Sequence, residues 1–146
     1  MAIVDEMVCF ALYSASRATT RAYTELLAPW KLTYTQYLVL VILWTEGEKP
    51  VRELGEVLQL DSGTLSPLLR RLEDKEFIVR QRDGQDSRVV NVSLTSGGRA
   101  LQNDLAHIPA QIACGTGLPD LKAAQALLDS LHRVTESMQK ISSPDT

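Results

Sequence analysis

The chain has no apolar run of the roughly 18 residues that a membrane span needs, although 45% of its 146 residues are hydrophobic. Its first residues, MAIVDEMV, carry acids where a secretory signal would carry bases. A cytoplasmic protein is expected. In that compartment two cysteines are expected to be free or redox-active rather than permanently bridged. The chain has no glycine-rich phosphate loop, no paired catalytic carboxylates and no Ser-His-Asp arrangement. Cys9, His107, Cys114 and His132 are metal ligands by type, but no two are compactly spaced, so neither a metal nor a cofactor is expected. There is no internal repeat and no low-complexity block, and the length is that of one domain.

An overall excess of basic charge is lacking too: the net charge is −3, which by itself argues mildly against a nucleic-acid partner. The distribution matters more. Residues 77–99 hold Arg80, Arg82, Arg88 and Arg99 against Asp83 and Asp86, a surplus of +2, while segments 1–48 and 100–146 each come to −2. A basic surplus confined to one segment suits a protein that meets phosphates with one face. A solvated charged hairpin has the same composition.

The segment DSGTLSPLLRRLEDKEFIVRQRDGQDSRVVNVSLT, which begins at Asp61, is the most informative part of the chain. Leu65, Leu68, Leu69 and Leu72 recur at i, i+3, i+4 and i+7, the stripe of a helix packed on a core. The opposite face carries Thr64, Ser66, Arg70 and Arg71, which can donate to phosphates and base edges. Asp61 or Ser62 caps this helix, and Pro67 is expected near the end of its first turn. Phe77 to Arg82 reads as a strand, Asp83-Gly84 as a turn, and Val90, Val92 and Leu94 alternate on the return strand. A helix followed by an arginine-tipped hairpin is the arrangement of a winged helix-turn-helix.

The remaining segments read as helices. Residues 4–28 are apolar nearly all round, as in a helix buried on more than one side. A second helix is capped by Thr33 or Thr35 and ends near Glu46-Gly47. A third spans about 50–58 with Val51, Leu54 and Leu58 inward. Thr95 caps a fifth over about 96–113, and Pro119-Asp120 opens a sixth with Leu121, Leu127, Leu128, Leu131 and Val134 on one stripe. The tail SSPDT is expected to fray. The expected fold is mainly α with a small β-hairpin, in one domain: a winged helix-turn-helix over 33–95, flanked by dimerisation helices over 1–32 and 96–146. Apolar outer helices without a covering element imply a homodimer. Its two recognition helices would meet half-sites roughly 34–36 Å apart.

With these residues in view, the run LDSGTLSPLLRRLEDKEFIVRQRDGQDSRVVNVSLTSGG resembles the recognition helix and wing of the MarR family, whose wing Asp-x-Arg stands here as Asp86-Ser87-Arg88. The N-terminal run VCFALYSASRATTRAYTELLAPWKLTYTQYLVL is similar to the organic-hydroperoxide resistance branch, OhrR. The resemblance implies a repressor of a palindromic AT-rich double-stranded operator, with organic hydroperoxide as oxidant. It also implies that Arg88 enters the minor groove, steadied by Asp86. Ser62, Thr64, Ser66, Arg70 and Arg82 are the further DNA-binding candidates.

Cys9 and Tyr13 are one helical turn apart and can share a face. A buried Cys9 could equally be a small hydrophobe. However, Tyr13, Tyr23 and Tyr34 all fall within 25 residues of it, and a thiolate accepting phenol hydrogen bonds is stabilised over the thiol. On one straight helix Tyr23 lies roughly 21 Å from Cys9. It can reach only the partner's Cys9, across first helices that cross antiparallel. The branch resemblance implies that network, with Tyr23 and Tyr34 supplied by the other chain. It also implies that Cys114, set among glycines in IACGTG, resolves an oxidised Cys9 as an intersubunit disulfide. Two other readings compete: a MarR-type repressor gated by a small aromatic ligand in the dimer crevice, with Cys9 passive, and a thiol peroxidase.

Overall fold

The computed structural model describes residues 2–143; Met1 and the last three residues of the SSPDT tail lie outside the described residues. The chain divides into two compact units, Met1–Ile108 and Pro109–Thr146. In the first unit a 3-10 turn, Ile3–Glu6, precedes helix α1 (Val8–Leu27), and a second 3-10 turn, Ala28–Trp30, follows it. Then come α2 (Tyr34–Glu46), β1 (Lys49–Pro50), α3 (Val51–Leu58), α4 (Ser62–Asp74), β2 (Ile78–Arg82), β3 (Val90–Leu94) and α5 (Ser96–Asp104). Helix α6 (Ile108–Gly115) spans the boundary, and α7 (Leu121–Ser142) belongs to the second unit. Among the described residues no single helix is long and apolar enough to cross a membrane.

Local chemistry sets most helix starts. Thr33 caps α2, accepting from the Gln36 N–H, while the Gln36 side chain accepts from the Thr33 N–H, a closed capping box. Asp61, rather than Ser62, caps α4 by accepting from the Thr64 N–H at 2.8 Å. Thr95 caps α5 and Asp120 caps α7 in the same way. Gly47 ends α2 with φ at 80°, the left-handed region where a glycine costs least. The leucine stripe of α4 behaves as its spacing predicts: Leu65, Leu68, Leu69 and Leu72 are all buried. They pack with Val39, Leu40 and Leu43 of α2, Leu54 of α3, and Ile78 and Val92 of the sheet in one core. Each fully buried leucine contributes roughly 1.5–3 kcal/mol.

Five local expectations are corrected. The first helix starts at Val8, not residue 4, because Met7 is extended. Pro67 is the sixth residue of α4, inside the helix rather than in its first turn; it forfeits the bond to the Gly63 carbonyl. The helix expected over 96–113 is broken between Asp104 and Ile108. Pro109 has no N–H to give the Leu105 carbonyl, and that carbonyl instead accepts from Ile108 at 3.1 Å. Asp83-Gly84 is not a two-residue turn, since seven residues separate β2 from β3 and Gly84 takes no positive φ. Finally, the hairpin is part of a three-stranded antiparallel sheet of order β1-β3-β2. Lys49 and Pro50 pair with Val92 and Asn91, and an edge strand tolerates the proline.

The wing is tied to the helices at its root. Gly98 of α5 sits so close to the wing that an added Cβ would meet the Phe77 carbonyl. The Gly98 carbonyl accepts from the Trp44 indole N–H at 2.8 Å. Glu73 of α4 accepts from the Arg80 backbone N–H and guanidinium, both at 3.1 Å. That guanidinium holds the Glu73 carboxyl below the usual carboxylate range. A lowered folded value means that the bond's contribution is complete above the ordinary carboxylate range and is lost as pH falls through the folded value. Both side chains are partly exposed, so the expected loss in Glu73→Gln is about 0.5–1 kcal/mol at neutral pH. Urea midpoints should therefore differ from wild type at pH 7 and converge in acid; a difference that stays constant as the pH is lowered through and beyond the carboxylate range would show the pairing to be irrelevant.

Candidate nucleic-acid interface and cysteine sites

Ser62 and Ser66 lie one turn apart on the exposed side of α4, and Arg70 follows one turn later. Thr64 is exposed on the same helix. Across a groove of about 1510 Å³ stand Asp86 and Arg88 of the wing, and the groove is lined by Ser62, Ser66, Arg80, Asp86 and Arg88 together with Arg52 and Glu56 of α3. Thr64, Arg70 and Arg82 are not among its lining residues. Recognition-helix serines and the wing arginine are thus brought to one cleft by the packing of α4 on β2 and of α3 on α4.

The Asp-x-Arg pair is a built feature. Asp86 Oδ1 accepts from Arg88 Nε at 3.1 Å and from the Arg88 backbone N–H at 3.0 Å, and Oδ2 accepts from Nη2 at 3.2 Å. The Arg88 guanidinium, then its backbone N–H, holds the Asp86 carboxyl below the usual range. The Arg88 side chain is 90% exposed, so this carboxylate rather than packing fixes its direction. Arg82 donates to the Ser87 carbonyl at 2.7 Å. Arg80, counted in the basic surplus of 77–99, is paired with Glu73 and is not spare charge for a phosphate. Arg52, which the sequence did not single out, enters the cleft paired with Glu56 at 3.0 Å. Its i,i+4 spacing was visible, but its place beside the wing was not.

The cysteine sites are open. Cys9 is exposed in the first turn of α1, and among the described residues of the single chain no hydrogen bond reaches its sulfur. Tyr13 is 56% exposed; its hydroxyl accepts from Arg17 at 3.1 Å, and the guanidinium lies 5.4 Å from the ring centre. Tyr23 and Tyr34 are brought together and stack at 4.2 Å between centroids, with Tyr37 5.6 Å from Tyr23. Burial, with Tyr34 and Tyr37 nearby, raises the Tyr23 phenol above its ordinary value. Because α1 is continuous from Val8 to Leu27, Tyr23 stands roughly 21 Å along the axis from its own Cys9. Cys114 is exposed near the end of α6 in the second unit. Gly117, three residues on, takes φ of 70°.

Helices α3 and α4 with the wing behind them define a winged helix-turn-helix regulator. The chain belongs to the MarR family, whose pattern matches residues 32–90. The chain is 44% identical to the HTH-type transcriptional regulator TtmR of Methylorubrum extorquens over 92% of this chain and 69% of that protein. It is 40% identical to the organic hydroperoxide resistance transcriptional regulator of Bacillus subtilis over 89% of this chain and 92% of that one. Among solved structures, overoxidised AbfR bound to DNA matches with a TM-score of 0.75 and 31% identity over 90% of this chain and 91% of AbfR. A disulfide-formed AbfR matches with a TM-score of 0.64 and 29% identity over 93% of this chain and 90% of AbfR. The chain is thus a DNA-binding transcriptional regulator of the MarR type and not an enzyme, which removes the thiol peroxidase reading.

Proposed function

We propose that this protein is a peroxide-sensing repressor that releases a palindromic AT-rich operator when Cys9 is oxidised. The observation that carries the reading is the stacked Tyr23–Tyr34 pair: a phenol cluster suited to a thiolate, beyond the reach of its own Cys9. A homodimer joined by antiparallel first helices would bring Tyr23 and Tyr34 of the partner subunit to that sulfur. Unmet apolar surface supports such a dimer: Val8 is 70% exposed on α1, and Leu121 and Ile141 are 89% and 76% exposed on α7. On DNA, Thr64 and Ser66 meet major-groove edges beside Ser62, Arg70 meets a phosphate, Arg82 supports the wing, and Arg88 enters the minor groove.

The chemistry balances without a cofactor. The Cys9 thiolate attacks the outer oxygen of an organic hydroperoxide. The S–O bond forms as the O–O bond breaks, and the alkoxide leaves as an alcohol after taking a proton. Sulfur loses two electrons and the peroxide gains them. The sulfenic acid then condenses with the Cys114 thiol of the partner subunit, giving a disulfide and water. Drawing these sulfurs together rearranges the dimer interface and alters the spacing of the recognition helices, on which simultaneous half-site binding depends. The test is an operator titration of reduced protein and of protein treated with cumene hydroperoxide. Equal affinity of the two forms would end the sensing reading.

The resolving step has its own expected result. Oxidised wild type should run as a covalent dimer on non-reducing gels, while Cys114→Ser should run as a monomer and stop at the sulfenic or over-oxidised state. A covalent dimer formed as readily without Cys114 would exclude it as the resolving thiol.

A further inference from the structure

The tip of the wing is assembled around a carboxylate that the DNA reading above does not use. Asp83 Oδ1 accepts from the backbone N–H groups of Gln85 at 2.7 Å and Asp86 at 3.2 Å, and Oδ2 accepts from Asn91 Nδ2 at 3.3 Å. The Asp83 N–H donates to the Val89 carbonyl at 2.8 Å, and the Val89 N–H donates to the Asp86 carbonyl at 3.0 Å. Gly84 is not what makes the turn: it takes no positive φ, and an added Cβ there meets nothing within 4 Å. The side-chain turn of an aspartate does that work. Asp83 thus fixes the peptide that carries Asp86, and Asp86 fixes the guanidinium of Arg88.

From this chain of bonds we infer that Asp83 is the positioning residue of the wing, setting preference for operator flanks through Asp86 and Arg88 without touching DNA itself. The inference rests on the reading that Arg88 enters the minor groove. The Gln85 and Asp86 N–H groups hold the Asp83 carboxyl below its ordinary value, so it is ionised at neutral pH. Two arginines, Arg82 and Arg88, face two carboxylates, Asp83 and Asp86, so the tip carries no net charge. Its contribution is therefore direction rather than bulk attraction to phosphate. Removing Asp83 raises the local charge by one, which favours non-specific binding while the aim of Arg88 is lost.

The experiment measures affinity of reduced wild type, Arg88→Ala, Asp83→Ala and Asp83→Asn for one operator with AT-rich or GC-rich flanks, alongside thermal melts. Asp83→Ala should lower the AT-over-GC affinity ratio about fivefold or more without weakening binding to non-specific DNA. Asp83→Asn loses the same charge but keeps an oxygen for the Gln85 and Asp86 N–H groups, and should retain the ratio. A wild-type ratio in Asp83→Ala beside a lost ratio in Arg88→Ala would overturn the inference and leave the groove reading standing. Loss of the ratio in Asp83→Asn as complete as in Asp83→Ala would overturn it as well, since charge and not turn geometry would then be responsible. An unchanged ratio in Arg88→Ala would remove the groove reading and the inference together. Should Asp83→Ala fail to fold, Asp83→Glu keeps the charge but carries the oxygens one methylene beyond the Gln85 and Asp86 N–H groups: a reduced ratio supports the inference and an unchanged one overturns it.

Discussion

Cys9→Ser is expected to bind operator as tightly as wild type and to stay bound when cumene hydroperoxide is added. The substitution exchanges sulfur for oxygen at an exposed position on α1, so neither the core nor the α4–wing cleft changes. The hydroxyl is not ionised at neutral pH and has no sulfenic state, so the oxidation that starts release cannot occur. Wild type should lose tight operator binding in the same assay. Release in Cys9→Ser at the wild-type rate and dose would transfer sensing to another residue and leave Cys9 a surface thiol. The ligand-gated alternative makes the opposite forecast, since a passive Cys9 leaves the peroxide response, if any, indifferent to its replacement.

Arg88→Ala should produce the largest loss on the DNA side. A guanidinium inserted in the minor groove gains from the enhanced negative potential of narrow AT-rich segments, and its loss should cost about 1–3 kcal/mol of specific binding. Preference for AT-rich flanks should shrink with it. Arg70→Ala provides the contrast: losing one phosphate contact should weaken all sequences alike and reduce the salt slope by about 1. Because Asp86 already pairs with Arg88 through two oxygens, Arg88→Ala should move the salt slope less than Arg70→Ala does. Operator titrations at several salt concentrations separate the two, and identical behaviour of Arg88→Ala and wild type on both flanks would show that the wing does not read the groove.

Legibility followed distance along the chain. The leucine stripe of α4 and the Thr95 cap were readable, and the other helix starts were narrowed to Thr33 or Thr35, Asp61 or Ser62 and Pro119-Asp120, because each depends on residues at most seven positions apart. The Asp86–Arg88 pair was expected from the resemblance to the MarR wing, not from spacing, and the two side chains do bond. Pro109 was visible but its consequence was missed, because the apolar run on either side reads as one helix. The pairing of Lys49 with Val92 carried no signal at all: two residues have no periodicity, and that strand exists only because β3 offers its edge.

The sequence by itself therefore determined the helix-then-wing order, the core face of the recognition helix and the residues at the wing tip, since helical spacing, caps and strand alternation are local hydrogen-bonding and burial effects, while the Asp-x-Arg pair was legible only through the family resemblance. Only the tertiary structure decided that Arg80 is tied to Glu73, that Tyr23 stacks on Tyr34, that Asp83 rather than Gly84 shapes the wing tip, and that Ser62 and Ser66 share a cleft with Arg88. Most of these pairings follow from how α1 packs on α2 and α4 on the sheet, and the aim of Asp83 depends on the loop's backbone path. No spacing rule within one element encodes either.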